Sequence, residues 1–292
     1  VINHRKFQFI KSIIFSFWLS ACSQSLPPST TLPIEVAETS GLVCLNNRQF
    51  LTINDSGHRP SIFQINDSGV VKRKIDLAVA NNDWEAISTD GTWLYIADTG
   101  NNSGARQEGF VYRVRLKELK GSVVATRFTF RFSGYTANAI KPYQHEFDIE
   151  AIATTKTDLF MFNKNWTGGA TQVYQLPTSA GLEAQTLSPI AKIYDLPGVV
   201  TDATWSERHQ IFLLAGYANP RSNALALYLT GNFSAFIAVV DQNFQVIRTI
   251  PVPEARQLEG ICLDEDDNIW LSQEQFQNTD AKLWRFTNLK NL

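Results

Sequence analysis

The sequence is poor in the groups that most chemistry needs. Only 18% of its 292 residues are charged, with 26 Lys and Arg against 28 Asp and Glu. That near balance leaves no basic face for a nucleic acid, so none is expected as a partner. There are three cysteines and four histidines. His58, His145 and His209 are scattered, and no His/Cys spacing suits zinc. No glycine-rich phosphate loop, no nucleophile elbow and no Ser-His-Asp set is legible. Helical periodicity is almost absent. What the chain has in quantity is aromatic residues, 12% of the total including seven Trp. Such residues suit pleated β surfaces.

The first residues read as an export signal. His4, Arg5, Lys6 and Lys11 precede a short apolar run, Ile13 to Leu19. It is shorter than a membrane-spanning helix needs. Leu19-Ser20-Ala21-Cys22 resembles a lipobox, so residues 1–21 are expected to be removed and Cys22 to carry the lipid. Several acyl chains give lasting membrane attachment where one does not. No Asp follows Cys22, which points to the outer membrane, facing the periplasm. Loss of Arg5, Lys6 and Lys11 leaves 23 basic against 28 acidic residues, a net of −5. Residues 22–32, rich in Ser, Pro and Thr, read as a tether, and 33–292 as the folded body.

That body repeats itself. An acidic residue opens a short apolar strand, a turn follows, and a second apolar strand ends in Asp, Asn or Gly. The unit recurs at 38–57, 82–102, 148–164, 202–217 and 258–274. A third strand follows each, at 61–65, 110–115, 172–176, 236–240 and 282–286. A fourth follows all but the last, at 70–75, 125–132, 190–194 and 246–250, and residues 33–36 are left over at the start. Four-stranded repeats of roughly 45 to 65 residues predict an all-β propeller, its N-terminal strand closing the last blade. Five blades are countable, and a sixth fits only if the second or fourth unit hides a degenerate one. A two-sheet sandwich is the alternative for evenly spaced strands. A monomer is expected.

Aligning the repeats places polar columns at one rim of the channel. The inner-strand column reads Ser40, Glu85, Glu150, Asp202 and Glu259. Two positions earlier stand Glu38, Asp83 and Asp148. The second strands close on Asn54, Asp98, Asn163, Gly216 and Gln273, followed by Asp55, Thr99, Lys164, Tyr217 and Glu274. Strand alternation puts Asp83 with Glu85, and Asp148 with Glu150, on shared faces. Converging carboxylates are costly unless a cation answers them. Lys164, Arg106 and Arg221 are candidate answers, and Ca²⁺ is another, since Asp, Glu and Asn oxygens suit it. The competing reading is structural, with the acids capping turns or bonding amides of the next blade.

Two cysteines remain after Cys22. An exported protein can pair Cys44 with Cys262. The repeat alignment sets them one position apart, so their side chains are expected to face opposite ways. The reading is therefore two small buried thiols and no disulfide.

Glu38-Thr39-Ser40-Gly41, Asn54-Asp55-Ser56-Gly57, Asn82 to Ile87, Asp98 to Asn102, Asp148 to Ile152 and Leu258 to Ile261 together resemble a group of exported bacterial β-propeller proteins. These are related to the SdiA-regulated and esterase-like phytase propeller families. The likeness covers nearly all of the chain after the signal. Propeller phytases hold Ca²⁺ with rim carboxylates. By that resemblance Glu85, Asp98, Glu150, Asp202 and Glu259 are metal candidates, together with Asp83. The chain departs from such enzymes in being short and less acidic, with one acid in its fourth repeat.

Two functions follow as expectations. One is an envelope-anchored module that binds a small molecule, sugar or envelope protein through an acidic rim, with Ca²⁺ as its cation. The rim residues would be Glu38, Asn54, Asp55, Asp83, Asp98, Asn163, Gln273 and Glu274. The other is a metal-assisted hydrolase of phosphate or carboxylic esters. There Glu85 or Glu150 would be the base, and Lys164 or Arg106 the oxyanion partner.

Overall fold

The computed structural model describes residues 28–120, 123–136, 140–218 and 233–292. The proposed signal at 1–21, Cys22 and Arg221 lie outside these residues. The chain is a five-bladed β-propeller. Blade 1 is β2 (Thr39–Leu45), β3 (Gln49–Asn54), β4 (Ser61–Asn66) and β5 (Val71–Asp76). Blade 2 is β6 (Trp84–Thr89), β7 (Trp93–Asp98), β8 (Glu108–Arg115) and β9 (Thr126–Phe132). Blade 3 is β10 (Ile149–Thr154), β11 (Asp158–Asn163), β12 (Thr171–Pro177) and β14 (Ala191–Ile193). On the way to β14 the chain lays β13 (Gln185–Leu187) parallel to β9, which laces blade 3 to blade 2. Blade 4 is β15 (Gly198–Ser206), β16 (Ile211–Ala218), β17 (Ala235–Asp241) and β18 (Val246–Pro251). Blade 5 is β19 (Leu258–Leu263), β20 (Asn268–Gln273), β21 (Lys282–Asn288) and β1 (Ser29–Thr31).

The ring is closed as expected by an N-terminal strand on the last blade. The strand is Ser29–Thr31, antiparallel to β21, and falls within the stretch read as tether. Residues Ile34–Val36, expected to supply it, form one 3-10 turn instead. Pro33 precedes that turn and has no N–H to give a ladder, whereas Thr30 and Thr31 suit an edge strand.

Inner strands β2, β6, β10, β15 and β19 contact one another in a ring around the channel. The core lies between blades, as five apolar clusters with one at each seam. Both faces of a blade are therefore covered, which is why β10 is buried along its whole length.

The same seams overturn the cysteine reading. Cys44 and Cys262 form a disulfide, with Cα atoms 5.5 Å apart. Their registers do differ by one, since Cys44 pairs with Phe50 and Cys262 with Trp270. Neighbouring blades, however, meet by opposite faces. Phe50 and Trp270 pack as tilted rings across the blade 5–blade 1 seam, centroids 4.8 Å apart, and the two cysteines meet there for the same reason. The offset that points side chains apart within one sheet points them together across a seam.

Each inner strand carries a β-bulge near one end. The ladder skips Gly41, Glu85, Glu150, Thr201 and Glu259. A bulge re-aims a side chain out of the pleat. Three of these five positions are Glu. Blade 1 has Gly41 there, at φ +69°, where a Cβ would stand 2.6 Å from the Ile87 nitrogen of blade 2. The backbone of the next blade comes too close for an acid.

Candidate functional site

The bulged ends of the inner strands lie beside the ends of the second strands, so side chains from several blades converge at one mouth of the channel. Glu85, Glu150 and Glu259 are all more than nine-tenths buried there. Thr201 holds the equivalent place in blade 4, which corrects the column that assigned Asp202 to it. Thr201 donates to the Leu258 carbonyl of blade 5, and Ser40 donates to the Glu85 carbonyl of blade 2. These two hydroxyls bond the seams.

Asp202 lies one residue further along. Its Oδ2 accepts from the amides of Leu42 and Ile261, at 3.2 and 2.8 Å. It joins blade 4 to blades 1 and 5. Burial raises its pKa well above the carboxylate range, against the pull of those amides.

The column that closes each second strand also braces the fold. Asn54 donates to the Glu35 carbonyl at 2.9 Å, and Asn163 to the Glu146 carbonyl at 2.9 Å. Asn163 also accepts from the Gln172 amide at 2.6 Å. Gln273 accepts from the Arg256 amide at 3.0 Å. Asp98 accepts from the Asp83 amide at 3.1 Å, from Asn82 Nδ2 at 2.6 Å and from Arg106 at 2.9 Å. Each ties the segment entering its blade's inner strand, or, for Arg106, the loop behind it. Arg106 also donates to the Gly100 and Asp98 carbonyls, both at 2.9 Å. Asp148 accepts from the Asn101 amide and Trp166 Nε1, both at 2.6 Å. Buried polar groups need such partners, and most of these have them, although Asn54 Oδ1 and Asp202 Oδ1 are buried without one.

The remaining acids have few. Asp55, Asp83 and Glu85 each place a carboxylate oxygen within 4.8 Å of the other two, and no lysine or arginine among the described residues is paired with them. Glu85 accepts no side-chain hydrogen bond among the described residues. Burial, then Glu150, Asp55, Asp83 and Asp148, push its pKa far up. Burial, Asp55 and Glu150 raise Asp83 to about 6, with Arg106 opposing. Gly100 makes room for the group. A Cβ there would overlap Glu85 Oε1 and stand 2.5 Å from the Asp83 carboxyl carbon.

Among the described residues, Lys164 is the basic residue at the centre. Its Nζ lies 2.9 Å from Glu150 Oε2 and over the rings of Trp166 and Tyr217, at 5.1 and 5.6 Å. Burial pulls Lys164 down, but Glu150, Tyr217, Glu259 and Glu85 outweigh it and hold the ammonium charged. Burial raises Glu150 to about 7 although Lys164 opposes it. The second Glu150 oxygen is buried without a partner. Across from it, burial and then Glu38 and Asp55 raise Glu274 to about 8. Glu259 is raised far up by burial, Glu274, Glu150 and Asp55, against Lys164. Gln257 donates to Glu274.

The structure thus brings Asp55, Asp83, Glu85, Glu150, Lys164, Glu259 and Glu274 into one electrostatic group, with Glu38 at its edge. It assigns Asn54, Asp98, Asn163, Gln273, Asp202 and Arg106 to bracing. Tyr217 belongs to the site, in the column that places it with Asp55, Lys164 and Glu274. Trp166 belongs to it too and is not among the residues expected there, because it stands in the loop after β11, outside the strand repeat.

No protein-family model matches the chain, and no curated protein matches it. Solved structures similar to it include hydrazine synthase of Kuenenia stuttgartiensis, at 12% identity and TM-score 0.43, over 83% of this chain and 57% of that one. The chain thus spans less than two thirds of that protein's length. Virginiamycin B lyase from Staphylococcus aureus is similar at 15% identity and TM-score 0.42, over 89% of this chain and 69% of the other. A streptogramin B lyase is similar at 10% identity and TM-score 0.42, over 84% and 65%. Identities and superpositions of this order carry no chemistry to this chain.

Proposed function

We propose that this propeller is a cation-dependent binding module. It holds Ca²⁺ at Asp55, Asp83 and Glu85 and presents it at the channel mouth to an oxygen-rich ligand such as a sugar or an anionic group. The observation that carries this is the triad of carboxylates within 4.8 Å. Like charges that close, with Glu85 buried and Asp55 and Asp83 half-buried, favour protonation or a bound cation. Hard oxygen donors, with room for ligands from outside the protein, suit Ca²⁺. Glu150 is the carboxylate that acts most strongly on Glu85 and is a further candidate donor. One of its oxygens holds Lys164 and the other is free. The likeness of the repeat motifs to phytase-type propellers supports the same reading. Attachment to the outer membrane through Cys22 belongs to this proposal, and would place the mouth in the periplasm.

Hydrolysis of phosphate or carboxylic esters is the second reading. Glu150, with its raised pKa and free oxygen, is the observation that favours it as a general base. It ranks lower because the basic groups it needs are occupied. Lys164 is paired with Glu150, and Arg106 with Asp98.

Calorimetric titration of the chelator-treated protein with Ca²⁺ tests the proposal. One site is expected, lost in Asp83→Asn/Glu85→Gln and retained in Asp98→Asn. Absence of any heat or melting response to Ca²⁺ at pH 8 would sink it.

A further inference from the structure

The disulfide has a place in the ring that its sequence separation of 218 residues does not announce. It joins β2 of the first blade to β19 of the last, on the channel side of the closing seam. The outer side of that seam is held by β1, through only three residue pairs with β21. A further link is Asp202, which bonds the amides of Leu42 and Ile261 beside the cysteines.

The disulfide is also approachable. Cys44 is half-buried rather than sealed. Both cysteines line a cavity of about 130 Å³, with Ser88, Thr154, Thr204 and Trp205 among its walls. It lies at the end of the inner strands opposite the acidic mouth. About four water volumes fit in it, enough to admit a small thiol. Thr154 Oγ1 is buried without a partner there, so the wall is polar.

We infer that the Cys44–Cys262 disulfide is a redox-sensitive clasp on the propeller's closing seam, opened in the folded protein by a small dithiol entering through the foot of the channel. A thiolate of the reductant attacks one cysteine sulfur and releases the other as a thiolate, leaving a mixed disulfide. The second thiol of the reductant then displaces the first cysteine. The products are two cysteine thiols and one cyclic disulfide, so two electrons pass from reductant to protein. Glu259 stands three residues before Cys262 on β19, and Ser40 on β2 bonds the Glu85 carbonyl. Loosening these two strands shifts groups at the mouth, so the reduced protein binds its cation more weakly. That last consequence rests on the proposed cation site, whereas the clasp does not.

The test exposes the oxidised protein to a dithiothreitol series without denaturant and counts thiols by alkylation and mass spectrometry. Two thiols should appear at a rate proportional to dithiol concentration, with far-ultraviolet circular dichroism unchanged. The melting temperature should then fall by roughly 5–15 °C. Cys44→Ser/Cys262→Ser should melt like the reduced protein and ignore dithiol. The reduced wild type supplies the same comparison if that variant folds poorly. Reduction seen only in denaturant, or reduction with an unchanged melt, overturns the clasp. A Ca²⁺ affinity several-fold weaker in the reduced form is the expected second result. Equal affinity in both forms overturns the coupling, and no binding to either form is a failure of the cation reading alone.

Discussion

Lys164 Nζ lies 2.9 Å from one oxygen of Glu150, and the other oxygen of that carboxylate is buried with no partner. Among the described residues this lysine stands with Glu150, Glu259 and Glu274 and lowers the pKa of each. A buried pair of this kind costs much to break and less to replace whole. Lys164→Met should lose about 3–5 kcal/mol at pH 7.5. Lys164→Met/Glu150→Gln should recover most of that loss. Urea unfolding of the three proteins checks both statements. A single variant as stable as the wild type would mean the pair is solvated.

The cation-free protein should lose stability as pH rises. Folded Asp83, Glu150 and Glu274 have pKa values raised to about 6, 7 and 8, from ordinary values of 3.8, 4.5 and 4.5. Between its unfolded and folded pKa each group holds more proton when folded, so unfolding releases protons and stability declines with pH. The contribution is whole below about pH 4 and lost by about pH 8, at up to about 1.4 kcal/mol per pH unit for each group while it titrates. Ca²⁺ binds the ionised form, so its stabilisation should grow over the same range. Melting curves from pH 5 to 9, with chelator and with Ca²⁺, should move further apart as pH rises.

Gly100 is a steric test of the triad. Gly100→Ala drives a methyl into Glu85 and Asp83 and should cost about 1–3 kcal/mol while abolishing the Ca²⁺ response. At Gly181 a methyl would meet nothing within 4 Å, and the backbone there lacks a positive φ, so Gly181→Ala is the silent control. Equal Ca²⁺ titrations for the two variants would remove the triad from the site.

Asn163 should behave as a brace. Asn163→Ala removes the bonds to the Glu146 carbonyl and the Gln172 amide, leaving both without that partner. A loss of about 2–3 kcal/mol is expected, with unchanged affinity for Ca²⁺ in the fraction that remains folded. A large change in affinity with little change in stability would return this column to the ligand site.

Asp202 offers a charge test of the channel interior. Its pKa is raised by burial, and Oδ2 alone takes both amides. An amide oxygen can do the same, so Asp202→Asn should be nearly neutral in stability. Asp202→Ala should cost about 2–3 kcal/mol by orphaning the Leu42 and Ile261 amides. Chemical denaturation at pH 7 separates the two.

The propeller is legible in the sequence because the information is local and repeated. Apolar strands such as 94–97 and 159–162, with turn residues between them, declare their own conformation, and five copies declare a ring. Acids at the strand starts, Glu85, Glu150 and Glu259, are legible for the same reason. Which of their neighbours face the channel is not. That depends on the bulges at Glu85, Glu150, Thr201 and Glu259, which shift the pleat by one residue and leave no mark in composition. Hence repeat alignment puts Asp202 at the mouth although it bonds backbone amides inside the channel. It likewise gives no sign that Asn54, Asn163 and Gln273 bond the segments that enter their blades. The cysteines make the point most simply. Their one-residue offset is present in the sequence. Whether that offset separates two side chains or joins them is decided by the ring, where each blade turns one face to the blade before it and the opposite face to the blade after.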